Sequence, residues 1–142
     1  MPAGCGDTEY IGVMLRIVAP VLRQFAPEII LVSCGFDAHR DDPLAAMEVT
    51  GRGFGAMTAI LRDVAEEVCE GKLVFVLEGG YAASGLAEGT RDLLTEMSRP
   101  RIDARALRSA ELAPGSPLRE VVGAVAAVHA RTHPEIEAGE NA

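Results

Sequence analysis

Two stretches of this sequence hold the side chains whose types could do chemistry, and each of them follows a run of apolar residues. The first stretch, SCGFDAHRDDPL, carries Asp37, His39, Asp41 and Asp42, and the second is the tetrapeptide EGGY at residues 78–81. Carboxylates and imidazoles a few residues apart are the ligand types that a divalent metal needs, and a catalytic zinc ion keeps one position open beside three protein ligands. The first stretch can supply one or two such ligands.

Each of these residues also has an ordinary structural interpretation. Aspartates in a polar loop are more often turn formers and helix caps than metal ligands, and His39 is expected to be a solvated loop residue. The pair Gly79-Gly80 is explained equally well by a tight turn, and it lacks the G-x-G-x-x-G spacing of a phosphate-binding loop. Tyr81 taken alone is expected to be a half-buried packing residue. The residue types by themselves leave the metal-site interpretation open.

The surrounding pattern predicts the elements that position these stretches. Helical spacing of apolar residues predicts helices over 9–25, 53–69, 84–97 and 118–129, the first of them interrupted near Pro20. Residues 29–32 and 73–77 are apolar on both faces, as expected of strands that are covered on both sides in a parallel sheet. Strand, helix and strand within about 50 residues make a βαβ unit, so the two strands should be parallel with a right-handed crossover.

This topology places both stretches at one edge of the sheet. Ligands of open parallel sheets bind beyond the carboxyl ends of the strands, and both stretches leave the sheet there. The first stretch begins a loop of roughly twenty residues without a convincing period, and long loops in compact domains are usually functional. The predicted fold class is α/β.

The predicted sheet is incomplete. Two strands with unpaired edges on either side are a state that natural domains avoid, because open edges recruit other chains. We therefore expect one of two arrangements. Either a partner copy supplies further strands, so that the chain forms a homo-oligomer through its exposed sheet edges, or the chain is a piece of a larger α/β fold.

Composition excludes several classes of partner. Thirteen Lys and Arg against 21 Asp and Glu give a net charge of −8, and aromatic residues are 4% with no Trp, so no nucleic-acid partner is expected. The amino terminus lacks the features of a signal peptide, and no stretch approaches 18 uninterrupted apolar residues, so no membrane segment is expected. Three cysteines at scattered spacings form neither a metal pair nor a disulfide set, which favours reduced thiols in the cytoplasm.

The order of the motifs points to a family. SCGFDAHRDDPL followed about 35 residues later by VFVLEGGY resembles the carboxyl-terminal half of the histone deacetylase and acetylpolyamine amidohydrolase family, in its class II-like bacterial branch. The opening PAGCGDTEY is similar to the family segment that precedes the first motif. The resemblance covers roughly residues 2–97. It implies an arginase/deacetylase-type parallel sheet with flanking helices, with residues 1–98 as the carboxyl-terminal part of the deacetylase domain and 99–142 as a helical extension and tail.

The same resemblance implies a role for individual residues. Asp37 corresponds to one of three protein ligands of a catalytic zinc ion, and Tyr81 resembles the phenol that donates a hydrogen bond to the amide oxygen as it becomes an oxyanion. Gly79 and Gly80 would let the acyl arm of the substrate pass close to the backbone, and Leu44 would help to form the channel wall. The implied substrate is acetyl-lysine, an acetylated polyamine or another acetylated amine.

The sequence also departs from the family pattern. The family's other two zinc ligands lie in an upstream Asp-x-His motif, and its paired histidines lie further upstream, but neither motif is found here. The one Asp-x-His, at residues 37–39, stands in the context of the downstream motif. We therefore expect an amino-terminally truncated deacetylase that binds zinc weakly or not at all and has no measurable activity by itself.

Three other interpretations remain open at this point. The chain could be a non-catalytic α/β binding or assembly module, a decayed relative whose sheet edges pair with another chain. A small nucleotide-binding α/β domain would need a phosphate loop that the sequence does not show. A hydrolase of the related arginase type needs several Asp and His ligands for two manganese ions, whereas the second motif here ends in a tyrosine that favours the deacetylase branch.

Overall fold

A computed structural model of the chain describes residues 1–100, 114–134 and 136. Its elements are, in chain order, α1 (Asp7–Val13), a π-helical segment (Met14–Val18), α2 (Ala19–Phe25), β1 (Ile30–Cys34), α3 (Gly51–Cys69), β2 (Leu73–Leu77), α4 (Ala83–Ser98) and α5 (Pro117–His129). This confirms the predicted α/β class and the predicted order of elements. Most of the expected carboxyl-terminal tail lies outside the described residues. No helix in the described part of the chain is long and apolar enough to cross a membrane.

The first predicted helix is interrupted earlier than its proline suggested. Residues 14–18 form a π-helical turn, and Pro20 lies in the first turn of α2. A proline has no N–H to donate, and its ring crowds the carbonyl four residues earlier, which here belongs to Arg16. The helical ladder therefore widens in the turn that precedes Pro20, as it does at other π-bulges.

The two strands pair in parallel, as predicted. The register runs from Ile30 beside Leu73 to Cys34 beside Leu77, and α3 forms the connection between the strands. In the described part of the chain the sheet has these two strands, so each of them has one unpaired edge. The α3 helix begins two residues before its predicted start, because Thr50 caps it with a side-chain oxygen that accepts the N–H of Gly53.

The sheet is covered on one face by the described residues, whereas coverage of both faces was expected. Alternate residues such as Ile30 and Phe75 point inward and pack against the core clusters. The opposite side, which we call the outer sheet face, consists of Leu31, Ser33, Val74 and Val76, and all four side chains are exposed. Leu31 alone is 67% exposed. The apolar strand pattern thus predicts two buried faces, whereas the described residues bury one.

The described residues form two core clusters, and the second one supports the candidate site. The first lies where α2, α3 and β1 meet, and its buried members are Ala19, Ile30, Ile60, Val64, Ala65 and Cys69. The second lies beneath the loops at the carboxyl ends of the strands, and its buried members are Phe36, Val49, Phe54 and Leu93. The rings of Phe36 and Phe54 are 4.9 Å apart and tilted by 57°. A packed aromatic pair of this kind supports the loop that follows β1, which we call the first loop.

The last helix packs against the first. Leu118 and Val122 of α5 are buried, and a Cβ added to Gly12 of α1 would lie 2.3 Å from a methyl carbon of Leu118. The glycine therefore permits the close approach of the two helices.

Candidate functional site

Asp37 follows β1 by three residues, and its carboxylate lies against the loop that follows β2. A Cβ at Gly79 would be 2.6 Å from Oδ2 of Asp37, and a Cβ at Gly35 would be 3.1 Å from Oδ1. Glycine at both positions therefore makes room for the carboxylate of Asp37. The structure brings Asp37 and Gly79 together, as expected of residues that follow neighbouring parallel strands.

The loop that follows β2, which we call the second loop, is joined to the first by backbone contacts. The N–H of Phe36 donates to the carbonyl oxygen of Gly79 at 2.8 Å. Gly80 has φ +132°, and a Cβ there would lie 3.1 Å from Cβ of Phe36. A side chain at position 80 would therefore be both strained and crowded. The glycine pair is thus needed where the two loops approach each other, rather than as turn punctuation alone.

Asp42 ties the same two loops together through its side chain. Its carboxylate is 8% exposed. Oδ1 accepts the N–H of Leu44 at 2.9 Å, and Oδ2 accepts the N–H of Tyr81 at 2.8 Å. Burial by itself raises the pKa of this carboxyl group, but the backbone N–H groups of Tyr81, Leu44, Ala45 and Ala82 outweigh it and hold the pKa below its ordinary value.

Tyr81 and Leu44, whose backbones share this carboxylate, have exposed side chains. The Tyr81 side chain is 64% exposed and that of Leu44 is 69% exposed. The interpretation of Tyr81 as a half-buried packing residue is therefore wrong. Because both backbones bind one carboxylate, the two exposed side chains start from neighbouring points at the carboxyl edge of the sheet.

His39 is fully buried, so the prediction of a solvated loop residue is wrong. Its backbone forms a bridge with Val49, which turns the imidazole inward against the Phe54 ring at 6.5 Å between centroids. Nδ1 accepts the N–H of Asp41 at 3.1 Å, and Nε2 lies 3.4 Å from a carboxylate oxygen of Glu88. Nε2 makes no hydrogen bond in the described structure, so it is packing that holds His39 against α4, where a Cβ at Gly85 would lie 2.7 Å from Cγ of the imidazole.

The sequence patterns did not indicate the contacts of two residues near the site, Asp42 and Tyr10. The sequence predicts a turn former or helix cap at Asp42, whereas the contact of its side chain with the second loop spans 39 residues of sequence. Tyr10 lies within the first predicted helix. Burial raises the pKa of the Tyr10 phenol, and the nearby Cys5 and Asp37 raise it further. Tyr10 thus lies within electrostatic range of Asp37, which its place in a helical pattern could not indicate.

The described residues do not form a complete zinc site. Among residues 1–100, 114–134 and 136, no three His, Cys, Asp or Glu side chains converge where they could hold a metal ion. Zinc sites in proteins take at least three protein ligands. Asp37 offers one carboxylate, so a zinc ion at this residue would need ligands from outside the described part of the chain.

Comparison with curated proteins places this chain beside deacetylases. It is 40% identical over 106 residues to histone deacetylase 10 of rice, covering 74% of this chain and 24% of the relative. It is 49% identical over 82 residues to the histone deacetylase-like amidohydrolase of Pseudomonas aeruginosa, covering 58% of this chain and 21% of that protein. The chain therefore spans about a quarter of the length of these relatives.

Solved structures and a family model agree with this placement. The crystal structure of the HDA15 HD domain superposes with a TM-score of 0.77 at 27% identity, over 95% of this chain and 35% of that one. The structure of the histone deacetylase Clr3 superposes with a TM-score of 0.64 at 28% identity, over 77% of this chain and 18% of that one. The histone deacetylase domain model matches residues 1–97. The resemblance carried by the two motifs is thereby confirmed, and this chain belongs to the histone deacetylase family.

Proposed function

We propose that residues 1–98 are the carboxyl-terminal part of a zinc-dependent deacetylase domain that hydrolyses acetylated amines such as acetyl-lysine or an acetylated polyamine. The observation that carries this proposal is the junction of the two motif loops. The Asp37 carboxylate lies on the backbone of Gly79, and Tyr81, two residues further on, is bound through its N–H to the first loop. A metal-ligating carboxylate and an oxyanion donor have to share one edge of the sheet for this reaction.

In this proposal each residue of the junction has a task. Asp37 supplies one zinc ligand, and the exposed phenol of Tyr81 donates to the amide oxygen as negative charge develops on it. Such a donor contributes about 3 to 4 kcal/mol of transition-state stabilisation. Gly79 and Gly80 leave the backbone open to the acyl arm of the substrate, and the exposed Leu44 forms part of the channel wall.

The isolated chain is proposed to be inactive. Among the described residues, Asp37 is the one proposed zinc ligand, and His39 is fully buried, so it is not placed to take a proton from water. We expect hydrolysis of a fluorogenic acetyl-lysine substrate by the purified chain, with zinc added, to equal the rate of the metal-stripped control. Turnover above that control would contradict the proposed inactivity.

The positive half of the proposal can be tested in a chimera. Residues 1–97 of this chain replace the matching segment of the Pseudomonas aeruginosa relative, and we expect the chimera to hydrolyse the same substrate. Tyr81→Phe should lower kcat by about 10²- to 10³-fold. Thr95→Ala is the control, because it removes an exposed hydroxyl from α4, outside the junction of the two loops. A folded chimera without activity, or equal effects of the two substitutions, would contradict the assigned roles.

A second candidate function is a non-catalytic assembly module. The outer sheet face and the unpaired strand edges favour it, because an exposed apolar sheet is a template for another chain. In this case the partner is a second copy that pairs along the strands. Size-exclusion chromatography with light scattering distinguishes the two functions, since a dimer supports edge pairing and a clean monomer argues against it.

We also propose that the chain works in the cytoplasm. Cys5, Cys34 and Cys69 are all free thiols, as is usual for proteins of a reducing compartment. Fractionation of cells that express the tagged protein tests this, and recovery in another compartment would contradict it. The rice relative named above is described as chloroplastic.

A further inference from the structure

Among the described residues of the site, Asp42 is the one whose charged and buried side chain connects the two loops. The residue is 8% exposed, and the N–H groups that its carboxylate accepts include Leu44 of the first loop at 2.9 Å and Tyr81 of the second at 2.8 Å. Bonds from N–H groups to an ionised acceptor are stronger than those between neutral groups. The bond to Tyr81 also joins residues 39 positions apart, so it restrains the second loop relative to the first.

We propose that Asp42 is the positioning residue for Tyr81. This inference deepens the proposed function and rests on it, because it assigns to Asp42 the task of holding the backbone from which the phenol reaches the substrate. Asp42 itself does not touch the reacting atoms. It fixes the origin of the Tyr81 side chain, which is otherwise exposed and in contact with little of the protein.

The surroundings of Asp42 agree with a dedicated restraint. The neighbouring Asp41 is exposed, and its carboxylate accepts from the hydroxyl of Ser84 at 3.0 Å rather than from a backbone amide of the second loop. Gly80 has a backbone conformation that favours glycine, so the segment before Tyr81 carries no side chain to hold it in place. The second loop therefore depends on hydrogen bonds for its position, and Asp42 provides the one at Tyr81.

The test is amide hydrogen exchange, followed by NMR on the full 142-residue chain. We expect the Tyr81 amide to be protected, and Asp42→Ala to accelerate its exchange about tenfold or more, as loss of a bond to a charged acceptor predicts. Asp42→Asn keeps one acceptor oxygen and should have an intermediate effect. Asp41→Asn is the matched control and should leave Tyr81 unchanged.

The amide of Val64, in the buried centre of α3, distinguishes positioning from general stability. If Asp42 positions the second loop, Val64 keeps its protection in Asp42→Ala while Tyr81 loses it. An unchanged Tyr81 amide, or equal acceleration at Tyr81 and Val64, would overturn the inference. Because the measurement needs neither substrate nor metal, an inactive chimera would refute the proposed function without affecting this result.

Discussion

A single methyl group added at Gly79 tests the closest contact of the candidate site. A Cβ there would lie 2.6 Å from Oδ2 of Asp37, so the carboxylate must recede by at least about 0.4 Å to reach the 3.0 Å that real Cβ contacts respect. Gly79 is not among the residues with positive φ. Gly79→Ala therefore adds bulk without straining the backbone, and the added methyl group meets both the Asp37 carboxylate and the proposed path of the acyl arm.

The expected magnitudes separate function from stability. Turning Asp37 off its rotamer by about 30° costs about 0.5 to 1.5 kcal/mol, while alanine in place of glycine returns about 0.4 to 1 kcal/mol by restricting the unfolded chain. The free energy of unfolding should therefore change by less than about 1 kcal/mol. A misplacement of about 1 Å at a reacting centre costs on the order of 100-fold in rate, so a smaller shift should lower kcat/KM of the chimera about tenfold.

Two measurements check these expectations. Urea denaturation of the full chain gives the change in unfolding free energy, and the fluorogenic assay of the chimera gives kcat/KM. Gly35→Ala is the matched control, because its Cβ would lie 3.1 Å from the other oxygen of Asp37 and demands a smaller shift. Equal kcat/KM values for the Gly79→Ala and Gly35→Ala chimeras would refute the idea that the backbone at position 79 determines where the carboxylate lies.

Three further substitutions test the fold around the site. Gly12→Ala would place a Cβ 2.3 Å from Leu118 and should cost about 1 to 3 kcal/mol of unfolding free energy in urea, whereas Gly123→Ala meets no atom within 4 Å and should cost nothing. Asp42 has a lowered pKa in the folded chain, so its contribution to stability is present above the ordinary carboxyl pKa and is lost as the pH falls through the lowered value. Urea midpoints measured from neutral to acid pH should therefore fall less in Asp42→Asn than in the wild type, and parallel curves would contradict this. Thr50→Ala removes the cap of α3 and should cost about 1 to 2 kcal/mol, and an unchanged urea midpoint would show that the cap is dispensable.

The helices and strands could be predicted because their causes are local. The strand at 73–77 has its predicted bounds, and the helices that follow it differ from their predicted bounds by one residue at each end or less. The spacing of apolar side chains reports the period of the backbone in each case. The start of α3 was displaced by two residues because the cap at Thr50 depends on a side chain outside the apolar pattern.

The two faces of the sheet show where a local pattern stops being informative. Leu31 and Val76 are apolar, which indicates that they are suited to burial, but a pattern does not reveal which atoms bury them. In the described part of the chain these side chains are exposed. The comparisons agree with this finding, since the chain covers 35% of the solved domain on which it superposes. A complete sheet would need strands in addition to the two that the described residues form.

The sequence by itself determined the family, the elements and the identity of the two motif loops, because motif spelling and hydrophobic period are properties of neighbouring residues. Only the tertiary structure decided which loop residues meet. It buried His39, exposed Tyr81, and joined Asp42 to an amide 39 residues away. The reason is physical. An aspartate in a polar loop looks the same in the sequence whether its carboxylate caps a local turn or binds a distant backbone amide. The packing of Phe36 on Phe54 beneath the loops selects between these two arrangements.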